Sequence, residues 1–87
     1  MQYVYILKSD NDGELYVGCT KDLKIRLKLH NSKKVPATKK RGKLKLIYYE
    51  AFLNPKNAFV REQFLKTGWG RNSAKKMLAH YFLMAKS

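Results

Sequence analysis

The polarity pattern changes character several times along the chain. Tyr3–Leu7 is a run of β-branched, aromatic and aliphatic residues. The cluster Ser9-Asp10-Asn11-Asp12-Gly13 ends it, and a second short run, Leu15–Gly18, follows. Two β-type runs around an Asp/Asn/Gly cluster predict a hairpin. In a hairpin with an even-numbered loop, paired positions add to an odd number, so Tyr5 and Tyr16 fall on one face of the ribbon. Thr20 or Asp22 is placed to cap a helix running to about His30. On its wheel Leu23 and Leu27 share one side with Arg26 and His30, while Lys24, Lys28 and Asn31 share the other. The inward side of this helix therefore carries a guanidinium and an imidazole one turn apart, able to act on one object.

Asn31–Lys43 is broken by Pro36 and Gly42 and reads as a basic loop, with Lys33, Lys34, Lys39, Lys40, Arg41 and Lys43. Leu44–Phe52 predicts a third strand. Asn54-Pro55 starts a helix expected to reach about Thr67, with Gly68 as its terminator and Ala58, Val60, Phe64 and Leu65 as its apolar face. Glu62 borders that face, next to Ala58 and Leu65. Trp69-Gly70-Arg71 reads as a turn. Asn72 or Ser73 caps a last helix whose stripe is Ala74, Met77, Leu78, Tyr81 and Phe82. The expectation is one α+β domain over residues 1–87, a three-stranded antiparallel sheet flanked by three helices in the order β-β-α-β-α-α.

Charge narrows the function. Nineteen Lys and Arg stand against six Asp and Glu, a net charge of +13 on 87 residues. Self-repulsion of that size points to a polyanionic partner. The lone cysteine, Cys19, excludes an internal disulfide framework and a Cys-rich zinc site. The apolar start is too short for a signal peptide or membrane span, so a soluble cytoplasmic protein is expected; composition alone leaves nucleic acid and a membrane surface open as the polyanion, and the expectation of no membrane partner comes only from the resemblance given below.

Read singly, the chemical candidates have plain structural alternatives. Tyr5 and Tyr16 suit any strand, His30 suits a core, and Arg26 suits an ion pair, with Glu62 as one partner. Read together they resemble a family. Tyr3-Val4-Tyr5 and Tyr16-Val17-Gly18 resemble the two halves of the GIY-YIG nuclease signature. Thr20, the Arg26/His30 helix, Leu46-Ile47-Tyr48-Tyr49-Glu50 and Arg61-Glu62 follow in family order. The chain is most similar to small stand-alone bacterial members and to the N-terminal nuclease domain of the excinuclease C subunit.

The resemblance implies metal-dependent hydrolysis of nucleic-acid phosphodiesters, with DNA ahead of RNA as substrate. It implies one divalent ion, Mg²⁺ or Mn²⁺, held by Glu62. It gives Tyr16 and Tyr5 the place of the tyrosine pair that activates water, Arg26 that of the phosphate-holding arginine, and His30 that of a helix histidine. Asn72 matches an asparagine near the C-terminal end. Cys19 stands where some relatives carry a lysine.

Physical chemistry fits these roles. A guanidinium fork suits phosphate oxygens. One carboxylate holds Mg²⁺ when waters and phosphate complete the shell. A tyrosine, with a reference pKa of about 10, needs nearby positive charge to act as a base. No acidic pair has the spacing of a two-metal site. The basic loop is expected to hold phosphates, with little sequence preference and a protein partner as one source of specificity. A nucleic-acid-binding module of the same fold with weak or absent catalysis is the alternative, and a small ribosome-associated basic protein is a third reading.

Overall fold

A computed structural model describes residues 1–35, 38–39 and 42–86. Its strands are β1 (Gln2–Ser9), β2 (Leu15–Thr20) and β3 (Leu44–Phe52). Its helices are α1 (Leu23–Asn31), α2 (Pro55–Leu65), α3 (Gly68–Met77) and α4 (Ala79–Lys86). The fold is α+β, and the antiparallel sheet has the order β2-β1-β3.

β1 lies between its neighbours and is covered on both faces, which is why it reads as an unbroken apolar run. Val4, Tyr5, Ile6 and Leu7 are all buried. Val4 and Ile6 pack with Val17, Ala58, Leu65 and Ala74, the layer of α2 and α3. Tyr5 and Leu7 pack with Leu44, Leu23 and Leu27, the layer of α1. The sheet thus separates two helical layers, and each face has its own core.

The hairpin register is Leu7↔Tyr16 and Tyr5↔Gly18, so the two tyrosines do share a face. Gly13 turns the loop at φ 72, a left-handed conformation that suits glycine. Asp22 proves to be the cap of α1, accepting from the Ile25 amide at 3.1 Å, while the Thr20 hydroxyl accepts from the Asp22 amide.

The C-terminal third departs from the sequence expectation. The final helix is two helices, so the order is β-β-α-β-α-α-α. Trp69-Gly70-Arg71 is helical rather than a turn, and α3 starts at Gly68 instead of Asn72 or Ser73. Thr67 is the cap, accepting from the Gly70 amide at 3.0 Å. Gly70 is a close-approach residue: a Cβ there would collide with the Phe64 carbonyl and Leu65 backbone where α3 turns back over α2. The apolar stripe continues from α3 into α4 across a break at Leu78, where the backbone leaves helical geometry. On α2 only Ala58 and Leu65 are buried; Val60 and Phe64 face outward. The line Ala58–Arg61/Glu62–Leu65 faces the protein, so Glu62 is half-buried.

Candidate functional site

The hydroxyl of Tyr5 is the hub of a polar cluster on the α1 side of the sheet. It lies 2.9 Å from His30 Nε2 and accepts from Arg26 Nε at 3.3 Å. Arg26 and His30 reach the same atom because they stand four residues apart on α1, which Leu23 and Leu27 anchor to the sheet. His30 is fully buried and its Nδ1 lies 2.7 Å from the Thr38 hydroxyl. The imidazole meets both phenols edge-on, with ring centroids 5.8 Å from Tyr5 and 5.1 Å from Tyr16.

Gly18 makes this arrangement possible. It is the direct cross-strand partner of Tyr5, and any Cβ there would strike the Tyr5 ring and hydroxyl. The glycine of Tyr16-Val17-Gly18 is the slot over which Tyr5 lies, which fixes where its hydroxyl points.

The electrostatics follow from burial. Removal from water raises the Tyr5 phenol above its ordinary value; Arg26 opposes this, and Tyr16 and Glu62 add to it. Tyr5 is therefore a neutral phenol at physiological pH. Burial, with the Arg26 charge second, lowers His30. The ring is held toward its neutral form, with one nitrogen on the Tyr5 hydroxyl and the other on the Thr38 hydroxyl, while the Tyr5 oxygen accepts from Arg26. The hydrogen bond to Tyr5, with Tyr16 contributing, holds Arg26 still more firmly in its charged form.

A neutral, buried His30 makes stability pH-dependent. In the folded chain it titrates below the ordinary 6.5 of histidine. Its contribution is fully present above that value and is lost as pH falls through the folded pKa, because the unfolded chain takes up the proton first. The melting temperature should fall as pH drops from 7 to 5, and His30→Gln should flatten that slope. Identical slopes in both proteins would show that folding leaves the His30 pKa unchanged.

Glu62 comes from α2, in the layer on the other face of the sheet. Among the described residues no hydrogen bond or ion pair joins it to the cluster, so it is not the ion-pair partner of Arg26. Its side chain is 15% exposed, and Oε2 pairs with Lys66 Nζ at 3.3 Å. Among the described residues no group of three or more His, Cys, Asp and Glu converges.

The basic loop divides into separate roles. Lys33 adopts a left-handed backbone just past the end of α1, and its ammonium donates to the Gly42 carbonyl at 2.9 Å. Lys34, Lys39 and Lys43 are exposed. Lys40 and Arg41 lie outside the described residues. Asn72 is exposed on α3 and makes no hydrogen bond to the cluster among the described residues. No helix among them is long and apolar enough to cross a membrane.

Two features escaped sequence reasoning. Thr38 sits in a loop without periodicity, and nothing in its surroundings marks it as the partner of His30. Glu50, read as the end of a strand, receives a bidentate fork from Arg61 at 2.9 Å through both Nε and Nη2, and the Tyr48 hydroxyl donates to it at 2.5 Å. Burial alone would raise Glu50, but Arg61 and Tyr48 outweigh it and hold the carboxyl below its usual range. This clamp ties α2 to β3 at the residue next to Glu62.

Comparison with known proteins adds the family. No solved structure matches the chain significantly. A UPF0213 protein of Clostridium perfringens is 45% identical over 67 residues, covering 76% of this chain and 71% of the relative. A UPF0213 protein of Bacillus pumilus is 43% identical over 70 residues, 79% of this chain and 69% of the relative. One of Staphylococcus epidermidis is 41% identical over 66 residues, 75% and 79% respectively. The family model described as the GIY-YIG catalytic domain matches residues 1–76, a span that takes in the tyrosine pair, Arg26, His30 and Glu62, and the chain belongs to the GIY-YIG family.

Proposed function

We propose that the protein is a metal-dependent endonuclease that hydrolyses nucleic-acid phosphodiesters, with DNA as its substrate. One observation carries the reading: Tyr5, Arg26 and His30 form a single hydrogen-bonded cluster, and Tyr16 packs on its imidazole. Arg26 gives Nε to Tyr5 and also engages Tyr16, and the remaining N–H groups of its fork suit the oxygens of the scissile phosphate. Tyr5 is buried, neutral and already engaged, so it orients Arg26. Tyr16 is the more open phenol and takes the proton of the attacking water. His30, held by Thr38, fixes both rings.

Glu62 would hold the divalent ion, Mg²⁺ or Mn²⁺. The donor set fits: Mg²⁺ is bound through one or two carboxylates and keeps several waters, and Glu62 offers one carboxylate, paired with the Lys66 cation. When bound, the ion supplies positive charge to the phosphate and the leaving oxygen. Lys34, Lys39, Lys40, Arg41 and Lys43 draw in the strand through its phosphates, so sequence preference is slight and binding falls steeply with salt. A protein partner is the natural source of added specificity.

The test is incubation with supercoiled, single-stranded and branched DNA and with RNA, with Mg²⁺ or Mn²⁺ and with chelator. Cleavage of DNA that stops on chelation supports the reading. Binding without cleavage of any substrate replaces it with a non-catalytic binding module of the same fold.

A further inference from the structure

Beside the cluster runs an open groove of about 460 Å³, which the roles above leave unused. Its walls are Tyr3, Lys21, Leu23, Lys24, Leu46 and Tyr49. That volume lies within the range of about 300–1,000 Å³ typical of small-ligand sites. The groove adjoins the packed cluster at Tyr5 and Arg26, because Leu23 and Leu46 lie between the two. Whatever occupies it lies next to the phosphate that Arg26 would hold.

Tyr49 is the direct partner of Tyr5 across β1 and β3, on the same face of the sheet. Tyr5 is buried, yet Tyr49 is 53% exposed. The edge of Tyr3 braces it, with centroids 6.0 Å apart at 67°. A large ring held still on a strand and left open to water is a stacking platform without an occupant from this chain. Leu23 and Leu46 give the groove an apolar floor, and Lys21 and Lys24 are exposed at its side. Asp22, also on the wall, is turned to its own helix, capping Ile25.

An aromatic platform, an apolar floor and two ammonium groups fit a flat heterocycle bearing flanking phosphates. Bases within a duplex have both faces covered by their neighbours; only an unpaired base offers a free face. We infer that the groove receives an unpaired nucleobase of the substrate strand, stacked on Tyr49, with its flanking phosphates on Lys21 and Lys24. The inference rests on the nuclease reading and narrows its substrate to nucleic acid that is single-stranded beside the cut.

The experiment reads binding, so it does not depend on cleavage. A short oligonucleotide carrying one 2-aminopurine is titrated without metal with Glu62→Gln protein, both as a single strand and as the matching duplex. The single strand should lose emission as the base stacks. Adding Tyr49→Ala should abolish that loss and weaken single-strand binding about 10-fold, with duplex binding changed by less than about twofold. Tyr49→Phe and Tyr49→Trp should restore it, which also separates lost stacking from lost folding. Single-strand binding that is unchanged in Tyr49→Ala, or equal weakening of single strand and duplex, overturns the inference. A wild-type protein that cuts nothing while the Tyr49-dependent signal persists sinks the nuclease reading and supports the base-binding groove.

Discussion

Glu62→Gln should lower the cleavage rate by at least about 10³-fold while leaving the fold and nucleic-acid affinity nearly intact. The amide keeps the size of the side chain and can still sit beside Lys66, but it has no charge to hold a divalent ion. The melting temperature should barely move, because the lost pair is an i,i+4 contact whose lysine is half exposed, worth at most a few tenths of a kcal/mol. Binding should hold because affinity comes from the basic surface. Cleavage by Glu62→Gln at the wild-type rate and metal concentration would remove Glu62 from the site.

Tyr16→Phe should cost about 10²–10⁴-fold in rate, the usual worth of a general acid or base. The ring and its contact with His30 remain, so the loss should fall on the chemical step rather than on binding. Tyr5→Phe serves as the contrast. It removes the hub of the Arg26–His30 network and leaves His30 Nε2 and Arg26 Nε unpartnered, so it should weaken substrate binding and lower stability by about 1–3 kcal/mol. If Tyr5→Phe alone abolished chemistry and Tyr16→Phe did not, the roles of the two phenols would be reversed.

Much of this site was readable before the fold was known, for physical reasons. The alternation of side chains across a strand placed Tyr5 and Tyr16 on one face from their numbers alone. The rise of a helix placed Arg26 and His30 on one object. The same rule set Glu62 beside Ala58 and Leu65. What could not be read depends on chain segments distant in sequence or on backbone approach. Thr38 meets His30 from eight residues further along the chain, in a segment with no periodicity to announce the contact. Tyr49 stands opposite Tyr5 in the regular Gln2–Ile6 part of the β1–β3 pairing, whose register no local pattern encodes. Gly68 and Gly70 looked like breakers; Gly70 is in fact the residue that lets α3 pass against α2. Val60 and Phe64 are apolar yet face water, so hydrophobicity alone drew the buried face of α2 too wide.

The most direct test is single-turnover cleavage of one end-labelled DNA strand by wild-type, Tyr16→Phe and Glu62→Gln proteins with Mg²⁺, with affinity titrated in parallel. All three should bind within about threefold of one another, as phosphate contacts dictate, and both variants should cut at least about 10²-fold more slowly than the wild type. Either variant cutting as fast as the wild type at equal occupancy would contradict a shared site built from the two sides of the sheet.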